Sequence, residues 1–340
     1  MSHLPVCRIA AVAISCLSAA PGIPARAGDT GSWRVVEIAA PGAVAEIVQA
    51  GASAAIRIGR TWYRGATCPA GLCLAVSSAP PRQRPPRGGL ADGWIARAPG
   101  PGIVEAWYDE PTGRYDHAIL GDAVEAGALV ARDAAGTRFR LRLPADQVFE
   151  DLTPRIADID GDGRGDIVAI RSSLDRGASL AVYGIAGGQL RLRASSPPIG
   201  RAHRWLNIAG IADFDGDGSR DIAVVATPHI GGTLEFWSWQ AGGLERTASA
   251  AGFSNHAIGS RALGLSAVVD VDGDGRPDLV LPDTRRRAVL IVRVEAGRIE
   301  TIARVPLPGA IIHDIATVPT AEGVAFVAGL DSGRVVAILP

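Results

Sequence analysis

Residues Ile156–Ile170 read IADIDGDGRGDIVAI, and two further stretches align with them without a gap: IADFDGDGSRDIAVV at Ile211–Val225 and VVDVDGDGRPDLVLP at Val268–Pro282. Their leading loop aspartates, Asp158, Asp213 and Asp270, stand 55 and 57 residues apart. Self-similarity at a fixed period is the signature of a repeat architecture. In each copy an apolar, β-branched run enters an acidic glycine-rich loop and another leaves it. Further β signals follow at Ser179–Tyr183, Thr233–Trp239 and Val289–Val294, separated by turns at Gly187-Gly188, Gly242-Gly243 and Gly297. A unit is therefore about four short antiparallel strands, the make-up of a propeller blade.

Weaker copies flank the clear ones. Trp107–Leu120 (WYDEPTGRYDHAIL) keeps a Gly-Arg-x-Asp ending at Gly113, Arg114 and Asp116 but loses the aspartate ladder. Ile315–Ala328 (IATVPTAEGVAFVA) keeps strand–turn–strand with Glu322 as its one acid. Ser32–Arg64 is β-like without a copy of the loop. The expected fold is all-β, a β-propeller of about six (five to seven) four-stranded blades in one domain over residues 28–340, with N- and C-terminal strands paired in one blade to remove a free sheet edge. The Pro- and Gly-rich Ala79–Gly102 reads as an exposed loop within that domain.

Each loop spaces four carboxylates at positions one, three, five and nine. The glycine at six lets the backbone turn so that the carbonyl at seven can face the same point. The expected ligands are Asp158, Asp160, Asp162 and Asp166 with the carbonyl of Arg164; Asp213, Asp215, Asp217 and Asp221 with that of Ser219; and Asp270, Asp272, Asp274 and Asp278 with that of Arg276. All-oxygen donors at flexible angles suit Ca²⁺, whereas zinc prefers His or Cys and Mg²⁺ demands stricter geometry. About three structural Ca²⁺ ions are expected. An EF-hand needs a Glu at position twelve and flanking helices; here position twelve is Ala169, Val224 or Leu281, and the flanks are β-branched. A polar hairpin tip with aspartate as mere turn former is the plain alternative. Three copies in register, each crowding four like charges, speak against it.

These copies resemble the FG-GAP/VCBS repeats of integrin-type β-propellers, closely at DxDGDGxxDIV. The whole chain is also similar to uncharacterised bacterial VCBS-repeat proteins through stretches such as IGRAHRWLNIAGIADFDGDG. The resemblance implies a calcium-stabilised propeller in an exported protein. It implies no activity, since the fold hosts adhesins, lectins and lyases alike.

The other features set the context. The 340 residues are 47% hydrophobic with a net charge of -1, and the basic residues are all arginine. The basic run Arg285-Arg286-Arg287 is too short for a phosphate backbone, so no nucleic-acid partner is expected. At the N-terminus an apolar segment, Ile9–Ala20, precedes Ala25-Arg26-Ala27, an A-x-A cleavage pattern. Residues 1–27 are read as a signal peptide, with a periplasmic or extracellular destination; a lipoprotein at Cys16 is disfavoured by its short apolar segment. No later stretch reads as transmembrane. Export leaves Cys68 and Cys73, five positions apart, as a local disulfide.

Polar and aromatic residues precede the innermost strands: Glu150 before the first loop, Arg204, Trp205 and Asn207 before the second, Asn255, His256 and Arg261 before the third, and His313 near the end. The expectation is a ligand pocket at a channel mouth, holding a glycan or protein ligand, on a module for binding or adhesion. The competing reading makes these ordinary packing residues. An enzyme, a polysaccharide lyase or hydrolase, would use His256 or His313 with Asp314 or Glu150; no G-x-S-x-G or H-E-x-x-H occurs. A purely structural envelope scaffold is the third class.

Overall fold

Short β-branched runs cut by glycine turns leave little room for helices, and the computed structural model, which describes residues 33–69 and 71–340, is strand and loop throughout. The signal-peptide reading lies outside the described residues.

The described residues open with β1 (Arg34–Ile38), followed by the antiparallel sheet β2–β5 (Val44–Ala50, Ser53–Ile58, Thr61–Cys68, Gly71–Ser77). Next come β6–β9 (Ala96–Arg97, Ile103–Thr112, Glu125–Asp133, Arg138–Arg142), β10 (Gln147–Phe149) and β11–β14 (Arg155–Ala157, Asp166–Ser173, Gly177–Ala186, Gln189–Ser195). These nine strands form one sheet, because β10 pairs with both β8 and β12 and stitches two four-stranded units together. Two regular sheets follow: β15–β18 (Leu206–Ala212, Asp221–Ala226, Thr233–Gln240, Gly243–Ala251) and β19–β22 (Ala267–Val269, Asp278–Pro282, Ala288–Glu295, Arg298–Pro306). The last sheet joins both ends of the fold, with β1 pairing antiparallel to β25 in the order β1-β25-β24-β23, where β23–β25 are Ala316–Thr320, Gly323–Gly329 and Val335–Leu339. That pairing covers an edge which would otherwise template foreign strands.

Burial explains the strand composition. The second strands of the repeats, β12, β16 and β20, are buried along almost their whole length, so they carry unbroken Ile/Val/Leu/Ala runs. The fourth strands alternate or face solvent, as in Gln189–Ser195 and Arg298–Pro306. Apolar clusters pack the sheets face to face. One joins β2–β5 to the terminal sheet, another joins that sheet to β19–β22, a third joins β19–β22 to β15–β18, and the largest spans β15–β18 and the nine-stranded sheet. The three clear repeats also share one irregularity between third and fourth strands, at Val182/Tyr183, Phe236/Trp237 and Ile291/Val292.

One expectation shifts in register. Trp107–Leu120 runs from the middle of β7 into the connection beyond it, and the link between β6 and β7 is the five-residue Ala98–Gly102. The Gly-Arg-x-Asp likeness there is not a loop between first and second strands; Arg114 instead donates from Nε to the Gln147 carbonyl at 2.9 Å. Ile315–Ala328 does form strand, turn and strand. Cys68 and Cys73 are disulfide-bonded across the β4–β5 hairpin.

Candidate metal loops and a central cavity

The three acidic loops connect the first two strands of β11–β14, β15–β18 and β19–β22, and they have one geometry. The first aspartate accepts two backbone N–H groups: Asp158 Oδ1 from Gly161 at 3.0 Å and Oδ2 from Gly163 at 3.0 Å, with Asp213 and Asp270 repeating the pattern. Both loop glycines have positive φ, 75° at Gly161 and 79° at Gly163, a backbone that a side chain would strain. The ninth-position aspartate is the first residue of the second strand, and its carboxylate accepts the N–H of position two: Asp166 from Ile159, Asp221 from Phe214, Asp278 from Val271. Strand pairing thereby pins the far end of each loop beneath the near end.

As a result the carboxylates at one, three and nine converge. Ligand oxygens of Asp158, Asp160 and Asp166 lie within 4.8 Å of one another, as do those of Asp213, Asp215 and Asp221 and those of Asp270, Asp272 and Asp278. The fifth-position aspartates, Asp162, Asp217 and Asp274, stand outside this convergence and use Oδ1 to accept the N–H of position seven, at Arg164, Ser219 and Arg276. Burial, with a further push from neighbouring loop carboxylates, raises Asp166 and Asp221 to about 6. Asp278 is raised as well, with burial the main cause and Arg293 opposing. Hard oxygens, crowded and short of positive charge, fit a hard divalent cation.

The loops differ in what faces them. Register places Gly184, Ser238 and Arg293 at the same site on the third strand, beside the ninth-position aspartate. In the first loop a Cβ at Gly184 would stand 2.7 Å from Asp166 Oδ1, and Arg193 reaches Asp160 Oδ2 at 2.8 Å from the next strand. In the second, the Ser238 hydroxyl donates to Asp221. In the third, Arg293 reaches Asp272 Oδ2 at 2.5 Å and Asp278 Oδ1 at 3.4 Å. These partners were invisible in the loop motif, being 15 or more residues beyond it and meaningful only through the register.

The polar residues preceding the inner strands go to two places. Glu150, Trp205, Asn207, Asn255 and His256 are buried. The Trp205 indole donates to the Glu150 carbonyl at 2.9 Å, and the Glu150 carboxylate meets Ser172 and, at 2.5 Å, His117. Asn207 and Asn255 donate across to each other's carbonyls. His256 bonds His229 at 2.9 Å and the Ser260 carbonyl at 2.9 Å, and burial lowers both imidazoles to about 4, leaving them neutral. Arg204 donates to the His203 carbonyl. The remaining two, Arg261 and His313, line a cavity of about 870 Å³.

That cavity is walled by the first strand of every unit or the residues leading into it: Ala45–Val48, Ala96-Arg97, Arg155–Ala157, Ile208–Ile211, Ser266 and His313-Asp314. Between β5 and β6 its wall carries Arg82, Arg84 and Trp94, part of a run of guanidinium groups laid over indole rings that continues to Trp62 and Arg57. Arg57 lies 5.9 Å and Arg82 5.7 Å from the Trp62 ring centroid; Arg82 lies 4.2 Å and Arg84 3.5 Å from that of Trp94. The Pro-rich segment is thus fastened at both ends: Arg82 pairs with Glu46 of β2 at 2.7 Å while its plane faces Trp94 just before β6. Sequence reasoning had read this segment only as exposed loop.

The FG-GAP-like repeat family matches residues 158–224 and 213–281. No curated protein matches the chain.

Proposed function

The chain carries FG-GAP-like repeats, and from that premise we propose that it is an exported six-bladed β-propeller, stapled by calcium, that serves as a binding module with its ligand site in the central cavity. Six units support the blade count: β2–β5, β6–β9, β11–β14, β15–β18, β19–β22, and β23–β25 completed by β1. Apolar clusters join five of the junctions, and the arginine–tryptophan stack bridges the sixth, between β2–β5 and β6. The disulfide supports export, since such bonds persist in oxidising compartments.

The observation that carries the calcium reading is the threefold convergence of carboxylates at positions one, three and nine. Calcium bound there would supply the charge that these acids lack. The chain's own residues supply the rest: positions one and three fix the loop, and position nine belongs to the following strand, so an ion links the ends of two strands. The fifth-position carboxylate, through the oxygen not bonded to the position-seven N–H, and the seventh-position carbonyl would complete the oxygen set around a bound ion. An ion at a hundred times its Kd stabilises the folded state by about 2.7 kcal/mol per site.

Titration calorimetry on the protein freed of divalent ions, with thermal melts in calcium and in chelator, tests the reading. Uptake of about three Ca²⁺ per chain and a higher Tm in calcium are expected. No uptake and coincident melts would overturn it.

A further inference from the structure

We propose that the central cavity takes a small polyanion carrying carboxylate or sulfate groups, held against the arginine–tryptophan stack. This rests on the cavity being the ligand site of the proposed binding module and names the class of ligand.

The argument begins with charge. On the stacked wall three guanidinium groups, Arg57, Arg82 and Arg84, share one carboxylate, Glu46, which Arg57 meets at 3.1 Å and Arg82 at 2.7 Å. Arg84 has no carboxylate within ion-pair distance among the described residues, and donates only to the Gly93 carbonyl at 3.0 Å. Its guanidinium is pulled below the ordinary range by burial and, after that, by the like charge of Arg82. Across the cavity Arg220 is exposed and likewise lacks an acidic partner among the described residues. The acids on the walls are already satisfied. Glu46 serves two arginines, Asp92 accepts from Arg261 at 2.7 Å, and Asp314 accepts the Gly264 N–H at 2.9 Å. What is left over is positive charge.

Form points the same way. Guanidinium groups laid over indole rings, Arg82 over both Trp62 and Trp94 and Arg84 over Trp94, lose little further freedom on binding, and their forked donors match carboxylate and sulfate oxygens. The cavity volume of about 870 Å³ falls within the size of small-ligand sites, roughly 300–1,000 Å³. A polyanion of two or three rings fits that volume, with Arg84 and Arg220 both on the wall that would receive its acidic groups.

The test is calorimetry on the full calcium-loaded chain with digalacturonate, a disulfated disaccharide and neutral maltose. Either charged sugar should bind, more weakly as salt is raised, and maltose should not. Arg84→Gln and Arg220→Gln should each weaken binding about tenfold, as loss of one charge-assisted pair would, with calcium uptake and Tm unchanged in Arg84→Gln, which lies outside the acidic loops. Binding of maltose as tight as that of the charged sugars, no binding of either charged sugar, or a double variant that binds as the parent does would overturn the proposal. Intact calcium uptake beside a failed sugar titration would sink this inference alone, whereas lost uptake would sink the reading beneath it.

Discussion

The second and third acidic loops have the same acids at the same spacing, yet different neighbours. Of Asp213, Asp215 and Asp221, the last accepts from a serine hydroxyl, that of Ser238. In the third loop an arginine, Arg293, takes the matching site, and its guanidinium lies 2.5 Å from Asp272 Oδ2, 3.4 Å from Asp278 Oδ1 and 3.9 Å from Asp274 Oδ2. A repeated motif therefore does not give repeated sites. In the third loop a fixed cation already offsets the charge that calcium would offset, and an arriving ion must displace it. The first loop lies between, since Arg193 reaches only Asp160. The expected order of calcium affinity is second, first, third.

The harshest way to break the comparison is to disarm its stronger member. Asp221→Asn keeps the side chain's size and its acceptor for the Phe214 N–H but removes one of the converging charges. Calcium affinity at that loop should drop by about a hundredfold or more, the scale of a lost charged contact, and calorimetry should count one strong site fewer. Survival of all strong sites would show that this loop is not the tight one.

Exchange of the third-strand residues should come next in size. Arg293→Ser should tighten the third loop about tenfold, and Ser238→Arg should weaken the second by a similar factor, each read by calorimetry; in a partly buried setting a nearby like charge acts over a few kcal/mol or less. Without calcium the same Arg293→Ser change should lower the Tm, because it strands Asp272 and Asp278 without a counter-charge. Opposite shifts in affinity and ion-free stability would be hard to produce by simple misfolding. If both affinities stay put, the arginine swings aside at no cost.

Proton competition should separate the loops by less. Asp221 is held at about 6 by burial, against an ordinary carboxylate value near 4. Raised in the folded state, it adds stability to the ion-free protein that is fully present below about pH 4 and lost as the pH rises through about 6. Calcium requires the ionised form, so affinity at the second loop should be flat above pH 7 and weaken below about 6. At the third loop Arg293 opposes the rise of Asp278, so its decline should begin at lower pH. Calorimetric titrations at pH 7.5, 6.0 and 5.0 would show it.

The contrast also marks how far the sequence could be read. The aspartate loops were legible because their chemistry is written in nine consecutive residues, and the strands because Ile167–Ile170 and its counterparts are continuous apolar runs. Gly184, Ser238 and Arg293 were not, since nothing but strand register brings them beside Asp166, Asp221 and Asp278. Trp107–Leu120 misled because a Gly-Arg-x-Asp string resembles a loop ending while its Tyr115 is a core residue. Among the pocket residues, polarity alone did not separate Asn207 and His256, which bond inward, from Arg261 and His313, which face the cavity. The stack of Arg82, Arg84 and Trp94 joins a Pro-rich stretch to Trp62 of β4, a pairing without any local pattern.

The smallest effect concerns Arg276, the loop's own seventh residue. Its guanidinium reaches Asp274 Oδ2 at 3.3 Å and Glu295 Oε2 at 3.1 Å, at the loop's exposed rim. Charges in such a place are screened by water and salt and add little. Glu295→Gln removes one negative charge from the rim and frees Arg276 to lean on Asp274, so both consequences weaken calcium at the third loop. The shift should be less than about threefold and vanish at high salt. Set beside the tenfold change expected for Arg293→Ser, it tests whether contact with the converging carboxylates, rather than the number of nearby arginines, sets the affinity. Equal effects from Glu295→Gln and Arg293→Ser would place the control in the summed surface charge and erase the distinction between the two loops.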